Sequence, residues 1–271
     1  AILGVAAGVV AAAAGTPVVV HSGDRVPTQK QDSYRHVLHE LGVETDLDPA
    51  ESADMVDDTG FGFYYQPNFN PGIDALWGRR DQMGVRSFVN TVETLANPAN
   101  ADVHLGSFYH LAFAIKMTET LQHAESQDVS RTLFFQGMEG YDDIRPGTTV
   151  VAEWGSVRGT DGSSSGEGSD PRDDDGEDEL DDFEIETAEY GMDFESEDLG
   201  VEDVAGESAA ITEAVVSGDR DDQFADAVAL NAALRMYARE DVDSLDDGLD
   251  EARAAIEDGS AAAVLEDLRA F

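Results

Sequence analysis

The sequence predicts an α/β protein in which a mostly parallel sheet is flanked by helices. Short apolar runs, typical of buried strands, alternate along the chain with longer stretches of helical period. Such alternation favours parallel pairing, because parallel strands need crossover connections that are usually helices. With 271 residues, the chain is long enough for a sizeable core and one or two domains.

Composition limits the chemistry and indicates the environment. The chain has no cysteine, which excludes disulfides and thiolate chemistry. Its formal charge is −42, from 58 acidic and 16 basic residues, and the only lysines are Lys30 and Lys116. This balance predicts a protein kept soluble in a halophilic cytoplasm. At molar salt the Debye length is about 3 Å, so the net charge says little there about partners. At low salt it opposes nucleic-acid binding unless a local basic patch exists.

The first twenty residues are apolar, with the length of a membrane helix and a Gly4-xxx-Gly8 spacing. Gly15-Thr16-Pro17 splits this run, and no basic flank precedes it. We therefore predict a close-packed Ala/Gly helix over 1–14 and a buried strand at Pro17–Val20, with no membrane span. Because no charged n-region is present, we do not expect this run to be a signal peptide. Because the chain starts within a pattern and without methionine, we expect a preceding segment.

The following elements alternate in type as far as the middle of the chain. A polar, glycine-containing loop at 21–25 connects the first strand to a helix. Phe108, Leu111, Ile115 and Thr118 lie on one stripe of a later predicted helix. The predicted helices are Asp32–Leu41, Pro71–Met83 and Phe108–Leu121, the predicted strands are Phe61–Tyr65, 132–136 and 149–153, and Val85–Leu95 is mixed.

Composition divides the chain into three parts. Residues 1–154 are the first part of the α/β domain. In residues 155–182 Gly, Ser, Asp and Glu replace the apolar pattern, which predicts a disordered, solvated acidic insertion. An acidic run can imitate a metal site, but a solvated linker is the favoured interpretation. Residues 183–271 are the remainder of the domain, with four helices that cover the sheet.

A strand, a glycine-rich turn and two adjacent acids follow one another from Phe134 to Asp143. This order presents oxygen ligands at the carboxyl edge of a parallel sheet. Asp142 and Asp143 repel each other, so they are tolerated in solvent or held together by a divalent cation. Two interpretations therefore stay open, a metal site and a polar surface turn.

The order of these motifs resembles that of the anthranilate phosphoribosyltransferase family. Val18–Arg25 is similar to the family's Val-x-Lys-His-Gly-Asn-Arg loop. Asn70 to Gly84 resembles its His-Pro…Arg-x-x-Leu-Gly segment. Gly137–Asp143 resembles its glycine-rich Asp-Glu turn, and Leu230–Leu234 is similar to part of a closing helix. The resemblance covers almost the whole chain apart from the acidic insertion.

The resemblance implies the large domain of a nucleoside-phosphorylase-like phosphoribosyltransferase. It implies transfer of a 5-phosphoribosyl group from phosphoribosyl pyrophosphate to anthranilate, in tryptophan biosynthesis in the cytoplasm, with Mg²⁺ as cofactor. It also implies homodimers that form through a small helical domain. By that comparison, this small domain and the Gly-Thr-Gly-Gly-Asp loop are expected to be missing from the 271 residues.

The resemblance also assigns roles to individual residues. Gly23 would allow a phosphate or ribose to approach the backbone, although it is equally explained as a turn glycine. Arg80 would grip the anthranilate carboxylate bidentately, or else it is a helix C-terminal arginine favoured by the dipole. The implied substrate-binding residues are His21, Gly23, Asp24, Arg25 and Arg80, and the implied Mg²⁺ ligands are Asp142 and Asp143.

Several residues depart from the family pattern. Val20 stands where the family has a lysine, Asp24 where it has an asparagine, and Asn70 where it has a histidine. Gly84-Val85-Arg86 resembles a divergent branch that includes nucleic-acid-binding members without the biosynthetic activity. The alternative functions are therefore a nucleic-acid-binding homologue and a catalytically inactive one. The binding alternative predicts a continuous basic groove, with contributions from Arg25, Arg79, Arg80, Arg86 and Arg145.

Overall fold

The strands form two sheets in a computed structural model of the chain, which describes residues 1–25, 31–85, 87–108, 110–136, 143–157 and 180–271. The first sheet pairs β1 with β2, and the second has the order β3-β4-β5-β6. The strands are β1 (Val18–Ser22), β2 (Phe61–Tyr65), β3 (Val103–Phe108), β4 (Arg131–Gln136), β5 (Thr148–Gly155) and β6 (Asp181–Glu186).

Pairing is parallel between β1 and β2 and between β3 and β4, which confirms an α/β fold with parallel strands. β4 and β5 pair antiparallel, as do β5 and β6. Residues 137–147, which connect β4 to β5, are too few for a helical crossover, so β5 returns beside β4 in the opposite direction. The predicted insertion, 155–182, lies mostly outside the described residues, but its first residue belongs to β5 and its last two to β6.

Helices flank both sheets, and two short 3₁₀ helices follow β6. The 3₁₀ helices are Thr187–Tyr190 and Ser196–Leu199. The α-helices of the described residues are α1 (Gly4–Ala13), α2 (Tyr34–Glu40), α3 (Pro49–Thr59), α4 (Gln66–Phe69), α5 (Pro71–Asp74), α6 (Trp77–Met83), α7 (Phe88–Thr94), α8 (Leu111–Gln122), α9 (Val204–Val216), α10 (Gln223–Ala238), α11 (Leu245–Glu257) and α12 (Ser260–Ala270).

The prediction of a helix that begins at Phe108 is wrong. Phe108 is the last residue of β3, and α8 begins at Leu111. The predicted stripe is consequently wrong as well, because Leu111 and Ile115 are 40% and 39% exposed. The buried face of α8 is instead formed by Ala114, Met117, Thr118 and Leu121.

The first helix lies inside the core, as the Ala/Gly composition predicts. Residues 4–11 of α1 are all buried. A Cβ atom at Gly4 would lie 2.5 Å from the Tyr34 hydroxyl, and one at Gly8 would lie 2.7 Å from the Phe61 ring. The two glycines therefore let α2 and β2 approach the helix closely. Among the described residues, no helix has the length and apolar character that a membrane span requires.

The four-stranded sheet is covered on both faces. Leu133 and Phe135 of β4 join the large core cluster that contains α10, whereas Phe134 points to the opposite face and packs in the cluster of α8. The buried Asn231 of α10 bonds to both backbone groups of Ile144: it accepts from the amide at 2.7 Å and donates to the carbonyl at 3.1 Å. These two hydrogen bonds anchor the segment that carries Asp143.

Candidate functional site

A cavity of about 860 Å³ lies between β1 of the first sheet and β3 of the second. β1 and β3 are at the ends of their sheets, so each borders the cavity with an edge that no described strand pairs. The C-terminal part of α7 and the Asn97-Pro98 turn close another side. Of the predicted substrate-binding residues, His21, Gly23 and Arg25 line this cavity.

Two histidines, His21 and His104, line the cavity. The sequence predicts that His21 lies in a loop, but it lies within β1. Its ring contacts the Phe69 ring edge-on at a centroid distance of 5.7 Å. Burial lowers the pKa of His21, against a smaller opposing effect of Glu93. Burial, reinforced by His21, lowers the pKa of His104 to about 4. Both imidazoles are therefore neutral at pH 7, and His21 can contact a phosphate or carboxylate through a hydrogen bond but not through charge.

Replacement of His104 is expected to reduce the acid sensitivity of the fold. Between the usual pKa of 6.5 and the folded-state pKa of about 4, the unfolded chain binds the proton that the folded chain excludes. The unfolding free energy should therefore fall as the pH drops through this window, by roughly 3 kcal/mol from His104 alone. Denaturant unfolding at fixed high salt should show a shallower pH dependence in His104→Asn. The exposed His123→Asn is the control, and equal slopes in both variants and wild type would contradict the prediction.

The loop after β1 is held by local contacts. The Asp24 carboxylate accepts from the Tyr65 hydroxyl at 2.8 Å and pairs with Arg35 at 2.5 Å. The Arg35 guanidinium lies over the Tyr65 ring, 4.2 Å from its centroid. The Gly23 carbonyl accepts from the Ser33 hydroxyl at 2.8 Å. Asp24 is thus engaged in shaping the loop, while the exposed Arg25 has no ion-pair partner among the described residues and borders the cavity.

Arg80 is buried and already paired with a carboxylate. Its two terminal nitrogens donate to the Glu93 oxygens at 2.7 and 2.6 Å, a bidentate pair. Gln66 donates to the same carboxylate at 2.9 Å. Arg80 also lies in the last turn of α6, as the alternative of a helix C-terminal arginine predicts. Its side chain is only 8% exposed, however, whereas the neighbouring Arg79 is exposed.

Asp143 is fully buried, so the interpretation as a polar surface turn is wrong for this residue. Its Oδ2 accepts from the Leu3 amide at 3.2 Å and from Arg145 at 3.3 Å. Leu3 is the N-cap of α1, whose first turn favours negative charge. Its Oδ1 is buried and has no hydrogen-bond partner among the described residues. Asp142 lies outside the described residues, as do the glycines of the turn.

The free Oδ1 of Asp143 is the observation that fits a divalent cation. A buried carboxylate oxygen without a partner carries a desolvation cost that a bound cation or water would remove. Among the residues that the structure describes, no group of three or more acidic or histidine side chains forms a complete site. A cation here would therefore need Asp142, substrate oxygens or water, which matches the preference of Mg²⁺ for few carboxylates.

The arginines of the binding alternative do not form a continuous basic groove in the described part of the chain. Arg80 is paired with Glu93, and Arg145 contacts Asp143. Arg25 and Arg79 are exposed, and Arg86 lies outside the described residues. The geometry therefore gives this alternative no support.

Sequence reasoning did not identify two residues that line the cavity, Glu93 and His104. Glu93 is an ordinary helix acid by its local context, and only its pairing with Arg80 makes it notable. His104 interrupts an otherwise strand-like run. Its buried position alternates with partly buried neighbours along β3, which is a feature of the folded strand that the sequence does not show.

Comparisons with known proteins agree on one family. The sequence model of the family described as "Glycosyl transferase family, a/b domain" matches residues 3–262. The anthranilate phosphoribosyltransferase of Natronomonas pharaonis is 32% identical over 97% of this chain and 71% of that protein. The enzyme of the same name from Haloarcula marismortui is 31% identical over 96% of this chain and 71% of that protein. A crystal structure of anthranilate phosphoribosyltransferase from Thermus thermophilus superposes with a TM-score of 0.77 at 27% identity, covering 99% of this chain and 72% of that one.

Proposed function

Since the chain belongs to the glycosyl transferase family defined by this α/β domain, we propose that it is an anthranilate phosphoribosyltransferase. It would transfer the 5-phosphoribosyl group of phosphoribosyl pyrophosphate to anthranilate, with Mg²⁺ as cofactor, in tryptophan biosynthesis. The observation that carries the proposal is the 32% identity to an enzyme of this name over 97% of the chain. The unpartnered Asp143 oxygen beside the sheet supports the cation.

The reaction breaks the bond between C1 of the ribose and the pyrophosphate oxygen and forms a bond between C1 and the amine nitrogen, which then loses a proton. Catalysis requires charge neutralisation on the leaving group and alignment of the amine. When bound, Mg²⁺ neutralises pyrophosphate charge, and Asp143, together with Asp142, would hold it. Arg25 borders the cavity as an exposed cation and would contact phosphate. The neutral His21 would orient a substrate oxygen through a hydrogen bond.

Turnover of the chain with both substrates tests the proposal directly. At high KCl with Mg²⁺, we expect anthranilate fluorescence to fall and pyrophosphate to appear in equal amounts, because each transfer consumes one amine and releases one pyrophosphate. Omission of either substrate or chelation of Mg²⁺ should stop both signals. A folded protein that releases no pyrophosphate in the presence of anthranilate would contradict the proposal.

We also propose that the chain forms a homodimer and works in a salt-rich cytoplasm. The dimer is supported by the resemblance to a family of homodimers. The salt-rich cytoplasm is supported by the formal charge of −42.

A further inference from the structure

We infer that Glu93 occupies the place of the acceptor's carboxylate on Arg80 and thereby sets the affinity of the site for carboxylate-bearing amines. The inference rests on the proposed function, because it concerns the same acceptor site. It assigns Glu93 as a specificity-determining residue, which neither the motifs nor the comparisons identify.

The pair has the geometry of a filled carboxylate site. The Glu93 oxygens accept from both terminal nitrogens of Arg80 at 2.7 and 2.6 Å, the arrangement by which an arginine binds a free carboxylate. The Gln66 amide donates a further hydrogen bond to Glu93 at 2.9 Å. The two charged side chains are only 9% and 16% exposed, so solvent and salt screen their attraction little.

The positions of Glu93 and Arg80 relative to the cavity decide which of them an entering ligand meets first. Glu93 lines the cavity, whereas Arg80 is not among the described residues that line it. A carboxylate that enters from the cavity therefore meets the Glu93 carboxylate before it reaches the guanidinium. It must either displace Glu93 from Arg80 or lie beside a like charge in a poorly solvated place, and both cost binding free energy.

The consequence is a preference among acceptors. The Arg80–Glu93 pair has no net charge, so an uncharged aromatic amine avoids the repulsion that an aminobenzoate experiences. Anthranilamide has the size and ring of anthranilate but no negative charge. The wild-type chain should therefore bind anthranilamide at least about tenfold more tightly than anthranilate.

Glu93→Gln removes the competing charge and keeps the shape of the side chain. In this variant the affinity for anthranilate should rise about tenfold and the affinity for anthranilamide should change little, which reverses the preference. The affinity for phosphoribosyl pyrophosphate should stay constant. Fluorescence titration with each amine at fixed high KCl measures these values. Glu213→Gln is the matched control, because it breaks the surface pair with Arg269, whose N–O distance is 2.9 Å.

The ion pair could instead serve only to join α6 to α7. In that case Glu93→Gln would lower the melting temperature without changing the ratio of the two affinities, and the inference would be overturned. A wild type that prefers anthranilate would overturn it without any variant, so the test does not depend on the folding of Glu93→Gln. Loss of turnover with anthranilate at saturating concentration would refute the proposed function separately, because the affinity ratio requires no turnover.

Discussion

Replacement of Asp143 by asparagine is expected to weaken the Mg²⁺-dependent binding of phosphoribosyl pyrophosphate by about 100-fold or more. The Asp143 side chain is fully buried, and its Oδ1 has no partner among the described residues. The amide removes the negative charge that attracts the cation, while its oxygen can still accept from the Leu3 amide. Calorimetry with and without Mg²⁺ measures the effect, and the exposed Asp250→Asn is the matched control.

The same substitution affects stability, and the two effects can be separated. Arg145 loses the charge of its Asp143 partner, whose N–O distance is 3.3 Å, but Arg145 is 17% exposed and keeps a 3.0 Å bond to the Ala1 carbonyl. We therefore expect a folded variant, which circular dichroism can verify. An equal Mg²⁺-dependent affinity in the folded variant and in wild type would show that Asp143 has a purely structural role.

Dilution of salt is expected to unfold the protein. With 58 acidic residues and 16 basic ones, at least 42 carboxylates, the difference between these counts, have no basic partner of their own. At low ionic strength their mutual repulsion acts over a Debye length of about 30 Å at 0.01 M. The structure should therefore be stable at molar KCl and be lost on dilution. Circular dichroism across a KCl series measures the loss.

The salt range over which structure returns distinguishes two causes. The Debye length falls to about 10 Å at 0.1 M, so simple repulsion should be largely removed there. If the protein needs molar salt to fold, the salt must act beyond screening. It would then strengthen the burial of apolar surface by salting out, in an Ala-rich core such as that around α1. A flat signal between about 0.05 and 3 M would show that the acidity is not an adaptation to salt.

The parts of the fold that could be predicted are those where an apolar run ends at a glycine or proline. The strand Phe61–Tyr65 was predicted at its observed bounds, and the predicted helix over 1–14 contains α1. β3 was not predicted, because His104, Gly106 and Ser107 interrupt its apolar pattern. α3 was also missed, although Asp48-Pro49 and Glu51 form a capping box with proline in the first turn.

The candidate site was predictable only in part, because its contacts join distant positions. The resemblance identified His21, Gly23 and Arg25, which the fold brings to one cavity. The Arg80–Glu93 pair and the burial of Asp143 depend on how α6, α7 and α1 pack, which no local pattern contains. The antiparallel pairing of β5 with β4 was likewise not predicted, because it depends on the length of the connection between them rather than on its composition.

The position of α1 has a consequence for synthesis on the ribosome. α1 packs against α10 and α12, the latter at the C-terminal end of the described chain. At about 5–20 residues per second, α10 is translated roughly 10–40 s after α1. During this interval the nascent chain carries an almost wholly apolar helix that α2 and β2 can already contact but that α10 and α12 do not yet cover. The yield of folded protein should therefore depend on chaperone capture of the nascent chain as well as on the stability of the finished fold.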